Sequence, residues 1–193
     1  MLLIWGFITD LGDAAVTTPL ALLMLCFLVA AKQLRLAIVW AVAILGCAGV
    51  ISGMKLALEV CGSSSGLESP SGHAAMSAAV YGGFAAVIGA NAGRWARTAL
   101  IVGAAALIIA IPLSRVVLHV HTPIEVVVGL AVGLAAVVII LATVARRQER
   151  LPVLWLGAAA IVLAMLFHGR RWPAERAIRD LAGWFDMLRP WCS

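Results

Sequence analysis

The chain has 193 residues and a net charge of +5, and 64% of its side chains are apolar while only 12% carry a charge. This composition excludes an ordinary soluble domain and indicates an integral membrane protein. No basic cluster with interleaved aromatic residues is present in the sequence, so we expect membrane lipids as partners and no nucleic acid.

Charged residues divide the chain into apolar stretches of about 20 residues, the length at which a helix crosses the hydrocarbon core of a bilayer. We therefore predict an all-α fold, an integral membrane six-helix bundle that forms a single domain over residues 1–193. The predicted helices, in chain order, cover residues 14–31, 36–58, 74–93, 98–114, 122–145 and 151–169.

Both ends of the chain are predicted to lie at the membrane surface. The stretch Leu2 to Ile8 is too short to span, and no basic region precedes it, so it does not resemble a cleaved signal peptide. After the sixth helix, Pro173 begins a segment in which apolar residues recur near helical spacing between arginines. We expect an interfacial amphipathic C-terminal segment that anchors the chain.

Basic residues concentrate in alternate loops, and this pattern predicts the orientation of the bundle. The loops after the first, third and fifth helices carry Lys32, Arg35, Arg94, Arg97, Arg146, Arg147 and Arg150. The positive-inside rule makes these loops cytoplasmic. Five arginines after the sixth helix oppose this orientation, but three acids dilute them. We predict a multi-pass protein of the cell (inner) membrane, with its active site facing the periplasm or exterior.

The four cysteines do not have the spacing of a metal site, and we expect neither a metal nor another cofactor. Cys26 and Cys47 fall inside predicted helices, where they act as small packing residues. Cys61 and Cys192 fall on the predicted outer side, where an oxidising compartment would allow a disulfide. Two free thiols are the alternative.

Two short segments place polar groups at the outer ends of the predicted helices. They consist of Pro70, Ser71, Gly72 and His73 in the first segment, and Ser114, Arg115, His121 and Glu125 in the second. Ionisable residues in membrane segments are functional candidates. Phosphoryl transfer requires a nucleophile, an acid for the leaving oxygen and fixed positive charge, and the two segments contain all three.

This spacing resembles the type 2 phosphatidic acid phosphatase superfamily, whose second and third motifs read PSGH and SRxxxxxHxxxD. The second motif is complete, and the third has Glu125 where the family has Asp. Of the first motif, KxxxxxxRP, only Lys55 remains, because Gly62 and Ser63 replace its Arg and Pro. The resemblance covers residues 55–125 and implies a membrane lipid phosphatase, with substrates such as undecaprenyl diphosphate, phosphatidic acid or phosphatidylglycerol phosphate.

The resemblance and the chemistry assign the same catalytic roles. His121 is expected to be the nucleophile that forms a phosphohistidine, and Glu125, four residues later, to hold its tautomer. His73 is expected to protonate the leaving oxygen and then to activate water. Thr122 and Glu125 also fit a capping box, so a purely helix-capping role for Glu125 is the alternative.

Phosphate binding is expected from groups around these histidines. Arg115 can hold two phosphate oxygens, and the Ser71 hydroxyl and the Gly72 N–H add donors at a helix N-terminus. Lys55 adds a positive charge to the same oxygens. Its alternative role is to extend towards the membrane surface as a snorkelling side chain.

The missing arginine of the first motif removes one phosphate contact. Arg170 and Arg171 leave the sixth helix on the predicted outer side, and we expect one of them to fold over the site as a replacement. The alternative is that the arginines of the tail bind only lipid headgroups. His119, two residues before His121, is expected to be structural or to line the rim of the site.

The sequence thus predicts hydrolysis of a lipid phosphate or diphosphate at the outer membrane face through a phosphohistidine intermediate. A lipid phosphotransferase that uses the same site is one alternative. A non-catalytic lipid-phosphate binder or transporter is the other.

Overall fold

The computed structural model describes residues 2–62, 68–144 and 154–170, together with residues 172, 178, 180, 181 and 183. Within these residues the chain forms helices and no strands, which confirms the all-α fold. The helices are α1 Leu2–Asp10, α2 Ala14–Ala30, α3 Leu34–Cys61, α4 Gly72–Gly89, α5 Arg94–Val117, α6 Pro123–Val144 and α7 Leu154–Phe167.

Each of the six predicted helical segments overlaps one of the helices α2 to α7, but some boundaries were wrong. The predicted fourth helix ended at residue 114, whereas α5 continues through Arg115 to Val117 with Pro112 in its interior. The predicted third helix continued to residue 93, whereas α4 ends at Gly89. A charge marks the end of an apolar stretch, but a helix ends where its backbone hydrogen bonds are capped.

Four helical segments of the described chain are long and apolar enough to cross a membrane. They are Leu3–Ala30, Leu34–Cys61, Arg94–Val117 and Pro123–Val144. The first of these contains α1 and α2, which a short turn at residues 11–13 separates. The structure is therefore a helical membrane bundle.

Helix α4 occupies the centre of the bundle and packs against α2, α3, α5 and α6. Most of its residues are buried, and many of them are alanine or glycine. Small residues let helix backbones approach closely, which is the main way helices associate inside a membrane. The composition of α4 thus suits contact with other helices on nearly every side.

Helices α4 and α6 approach each other at two glycines of α6, Gly129 and Gly133, which are four residues apart. A Cβ atom on Gly129 would collide with the carbonyl oxygen of Ser71, and one on Gly133 would collide with that of Ala75. The contact therefore fixes the position of the first turn of α4, which carries the PSGH segment, against the beginning of α6.

The structure bears differently on the two predictions for the chain ends. The predicted surface stretch Leu2 to Ile8 lies in α1, which packs against α5, a contact that the sequence did not indicate. Of the predicted amphipathic C-terminal segment, the structure describes only Ile178, Asp180, Leu181 and Gly183, which are helical. The rest of that segment lies outside the described residues.

Candidate active site

The polar residues of the two motifs lie together at one end of the bundle, where α3 and α5 end and α4 and α6 begin. Buried side chains at this end are those of Lys55, Ser71, Arg115, His121 and Glu125. Burial of so many ionisable groups is costly unless they are paired or hydrogen-bonded. Their contacts therefore indicate what each of them can do.

His121 and Glu125 form a buried pair at the beginning of α6. The Nδ1 atom of His121 lies 2.9 Å from Oε2 of Glu125, and the two residues are four positions apart. An ionised carboxylate can only accept hydrogen bonds, so the proton of the neutral imidazole belongs on Nδ1. The Nε2 atom then carries the lone pair.

The Glu125 carboxylate accepts hydrogen bonds from three backbone N–H groups as well. Its Oε1 accepts from Glu68 (3.0 Å) and Ser69 (2.9 Å), while Oε2 accepts from Thr122 (3.1 Å). These donors stabilise the ionised form of the carboxylate. Glu125 thus connects the loop before the PSGH segment to the nucleophile candidate.

The predicted capping box at the start of α6 is also present. The Glu125 N–H points to the Thr122 hydroxyl oxygen at 3.4 Å, and Pro123 is the first residue of the helix. The two interpretations of Glu125 are therefore compatible, because one carboxylate contacts both the helix terminus and the imidazole. A mutation of Glu125 must separate these two effects to be informative.

A Schellman turn at the end of α5 positions His121. His119 adopts a left-handed backbone with φ 54°. The N–H of Val120 donates to the Arg115 carbonyl, and that of His119 donates to Val116. Such a left-handed position favours glycine, because glycine has no Cβ. His119 is exposed, and its left-handed backbone forms this turn.

The environment of His121 favours its neutral form. Burial lowers the pKa of His121, the hydrogen bond to Glu125 raises it, and the positive charges of Arg115 and Lys55 lower it, with a net shift downward. Its Nε2 atom is buried and has no hydrogen-bond partner among the described residues. A buried imidazole nitrogen with a lone pair and no partner is suited to attack an electrophile.

Ser71 and Gly72 form the start of α4. Ser71 is the N-cap, and its hydroxyl oxygen lies 3.4 Å from the Ala74 N–H. The Ser71 N–H donates to the Glu125 carbonyl at 3.0 Å. A Cβ on Gly72 would meet only Ile51, at 3.9 Å, so the protein's own packing leaves room for a side chain at this position.

Two cationic side chains approach the site from α3 and α5. Arg115 is 8% exposed, and its Nη1 atom donates to the Thr9 hydroxyl at 3.2 Å. Lys55 is 7% exposed, which does not fit the alternative of a side chain that snorkels to the membrane surface. It lies within α3, before the end of that helix at Cys61, and therefore remains inside the bundle.

The sequence analysis did not identify that the α1–α2 region contributes residues to the site. Besides Thr9, this region provides Asp13, which is 7% exposed. The Oδ2 atom of Asp13 lies 3.6 Å from Nε2 of His73. The available signal was an acid placed directly before the apolar run of α2, but the same position is typical of a helix N-cap.

The remaining residues that the sequence analysis singled out are the arginines after the sixth helix and the cysteines. Arg170 is exposed and contacts the ring of Phe167, with its guanidinium carbon 5.3 Å from the ring centroid. Arg171 lies outside the described residues. Cys61 is disulfide-bonded, while Cys26 and Cys47 are free thiols, and Cys192 lies outside the described residues.

Comparisons with known proteins agree with the motif assignment. The model of the PAP2 superfamily matches residues 54–149, about half of the chain. The chain is also 29% identical over 190 residues to an uncharacterized 22.5 kDa protein in the cps region of Klebsiella pneumoniae. That alignment covers 92% of this chain and 90% of the relative. No solved structure matches the chain.

Proposed function

The chain belongs to the PAP2 superfamily, and from this we propose that it hydrolyses a lipid phosphate or diphosphate through a phosphohistidine on His121. One observation carries the proposal. The Nε2 atom of His121 is buried and lacks a hydrogen-bond partner among the described residues, while Nδ1 faces Glu125 at 2.9 Å. This arrangement presents a lone pair at the centre of a cationic site.

The proposed reaction has two steps, each with a balanced proton transfer. In the first, the lone pair of His121 Nε2 attacks phosphorus, the bond from phosphorus to the lipid oxygen breaks, and His73 donates a proton to that oxygen. In the second, His73 takes a proton from water, the water oxygen attacks phosphorus, and the phosphorus–nitrogen bond breaks. Glu125 stabilises the positive charge of the imidazole in the intermediate.

The phosphate oxygens are proposed to contact Arg115, Lys55, the Ser71 hydroxyl and the Gly72 N–H. The room left beside Gly72 suits the approach of a phosphate oxygen to the backbone at the start of α4. Arg171 remains the candidate to replace the missing first-motif arginine, because the described contact of Arg170 is with Phe167.

An apolar cavity of about 800 Å³ supports a lipid substrate. It lies between α4, α5 and α7, and small residues such as Gly103 and Ala160 leave room within it. Leu11 lines it next to Gly12, the residue that lies against His73. We propose that a hydrocarbon chain of the substrate occupies this cavity while its phosphate is in the site.

We propose that helices α2 to α7 all cross the membrane and that the site faces the periplasm or exterior. The disulfide at Cys61 supports this orientation, since disulfides persist in oxidising compartments. Cysteines at position 68 and position 93, in a background without native cysteines, test it. An impermeant thiol reagent applied to intact cells should label Glu68→Cys and spare Gly93→Cys, and the opposite pattern would contradict the orientation.

Phosphate release from a panel of lipid phosphates by the purified protein tests the function. The wild-type protein should release phosphate from at least one lipid, and His121→Ala should not. Transfer of the phosphate to an added lipid acceptor, without release, would identify a phosphotransferase instead. Binding of the lipids with neither release nor transfer would leave a non-catalytic binder.

A further inference from the structure

We propose that Asp13 is a positioning residue for His73, so that the site contains two histidine–carboxylate pairs. The inference rests on the proposed function, because it concerns the residue that exchanges protons with the leaving oxygen and with water. The sequence motifs of the site do not include Asp13, which lies 60 positions before His73 in the turn between α1 and α2.

The second pair also places a carboxylate beside an imidazole, at a longer distance than the first. Asp13 Oδ2 lies 3.6 Å from His73 Nε2, an ion-pair distance slightly longer than a hydrogen bond. The side chains of Asp13 and His73 are 10% and 21% exposed, so solvent screens their interaction only in part. Catalytic contacts are often long without substrate and shorten when it binds.

The protein holds the α1–α2 turn directly against His73. A Cβ on Gly12 would approach Ile111 Cγ2 to 2.5 Å and His73 Cβ to 3.4 Å, so this contact requires glycine. The Tyr81 hydroxyl donates to the Leu11 carbonyl at 2.7 Å. The turn is therefore fixed from two sides, which keeps the carboxylate of Asp13 beside the imidazole.

The same turn also reaches the phosphate-binding arginine. Thr9, at the end of α1, accepts a hydrogen bond from Arg115 Nη1 at 3.2 Å. The segment from Thr9 to Asp13 thus contacts two residues of the proposed mechanism that come from two other helices. This double contact indicates that the turn forms one wall of the active site.

A carboxylate in this position would serve both proposed steps. It favours the imidazolium that protonates the leaving oxygen, and it makes the neutral imidazole a stronger base towards water. Among the described residues, the other buried charged groups at this end of the elements packed on α4 are Lys55, Arg115 and Glu125, with His121, while Glu59 near the end of α3 is exposed.

The competing role for Asp13 is that of a helix cap. Its Oδ1 atom accepts from the Ala15 N–H at 2.8 Å and from the Trp172 N–H at 3.2 Å. Asparagine caps helices about as well as aspartate, whereas glutamate keeps the charge and is not a favoured cap. Asp13→Asn therefore keeps the cap and removes the charge, whereas Asp13→Glu keeps the charge and weakens the cap.

The proposal predicts a kcat loss on the order of 10- to 100-fold in Asp13→Asn, part of what a positioned acid contributes, with a small change in KM. The alkaline limb of the pH–rate profile should move to lower pH, since the imidazolium loses its counter-charge. Asp13→Glu should retain more activity than Asp13→Asn. Glu59→Gln, which removes an exposed charge near the end of α3, is the control.

A titration of His73 by NMR makes the test independent of turnover. With the four histidines of the chain labelled and His73 assigned by its substitution, Asp13→Asn should lower the titration midpoint of His73. An unchanged midpoint, or wild-type kcat in Asp13→Asn with damage only in Asp13→Glu, would reduce Asp13 to a cap. Failure of wild-type turnover would instead contradict the proposed function, and the titration would still decide the role of Asp13.

Discussion

Replacement of Glu125 by glutamine separates the catalytic role of this residue from its capping role. The carboxylate accepts four hydrogen bonds, two on each oxygen. An amide of the same shape has only one acceptor oxygen, and its nitrogen is a donor. Glu125→Gln therefore cannot satisfy all four partners in either orientation of the amide.

The expected loss of stability follows from the orientation of the glutamine amide that costs less. If the amide oxygen faces Glu68 and Ser69, the amide nitrogen faces His121 and leaves the Thr122 N–H without an acceptor. A fully buried donor without an acceptor costs about 1–3 kcal/mol, and because the Thr122 N–H is only partly buried, we expect a loss of stability of about 1 kcal/mol. The amide nitrogen also requires an acceptor on His121 Nδ1, which moves the ring proton to Nε2 and removes the nucleophilic lone pair.

Activity should fall much further than stability. Restoring the productive tautomer breaks a hydrogen bond, and the intermediate loses a charge-assisted contact worth about 1.5–3 kcal/mol. The combined increase in the barrier is about 3–4 kcal/mol, or roughly a 100- to 1,000-fold lower rate, since each 1.36 kcal/mol is tenfold.

Phosphate release and thermal unfolding, measured on the same detergent-solubilised samples, check both numbers. Glu68→Gln is the matched control, because the side chain of Glu68 is exposed and only its backbone contacts Glu125. Activity of Glu125→Gln within about threefold of wild type, at unchanged stability, would refute the tautomer argument. Glu125→Asp should keep partial activity, because its shorter side chain retains the charge.

Three further predictions follow from the geometry. Because the pKa of His121 is shifted downward, activity should persist at pH values below the usual imidazole pKa and be lost only as the pH falls through the lowered pKa. A pH–rate profile of kcat/KM checks this, and a loss of activity near the unperturbed imidazole pKa would contradict it. Gly129→Ala should cost about 1–3 kcal/mol of stability and much of the activity, because its methyl group collides with the Ser71 carbonyl; thermal unfolding would show no such loss for the control Gly49→Ala, whose methyl group meets nothing within 4 Å. Ala160→Phe should fill part of the apolar cavity and slow turnover of long-chain lipid phosphates more than short-chain ones, and equal effects on both would exclude this cavity as the chain-binding site.

The positions of the membrane helices could be predicted because charge is so costly in a bilayer. The charges that interrupt the apolar stretches indicated where α2 to α7 lie. The capping box of Thr122 and Glu125 correctly marked the start of α6. The end of α5 could not be predicted in the same way. It depends on the left-handed backbone of His119, and a histidine is not a usual signal for that conformation.

The candidate site was predictable as far as its residues belong to sequence motifs. The His121–Glu125 contact follows from helical spacing. The bonds from Glu125 to the loop at residues 68–69, and the contacts of Thr9 and Asp13, join residues more than 50 positions apart. Only the packing of the helices brings them together, so neither local spacing nor composition could indicate them.

The most direct test of the central claim is detection of the phosphoenzyme. The protein is mixed with a lipid phosphate labelled in its phosphorus, quenched within one turnover, and the labelled residue is identified by mass spectrometry. The mechanism predicts an acid-labile phosphohistidine at position 121 that is absent in His121→Ala. In His73→Ala both steps should slow, because the leaving oxygen lacks its acid and the water that hydrolyses the phosphohistidine lacks its base. Label on another residue, or turnover by His121→Ala at the wild-type rate, would contradict it.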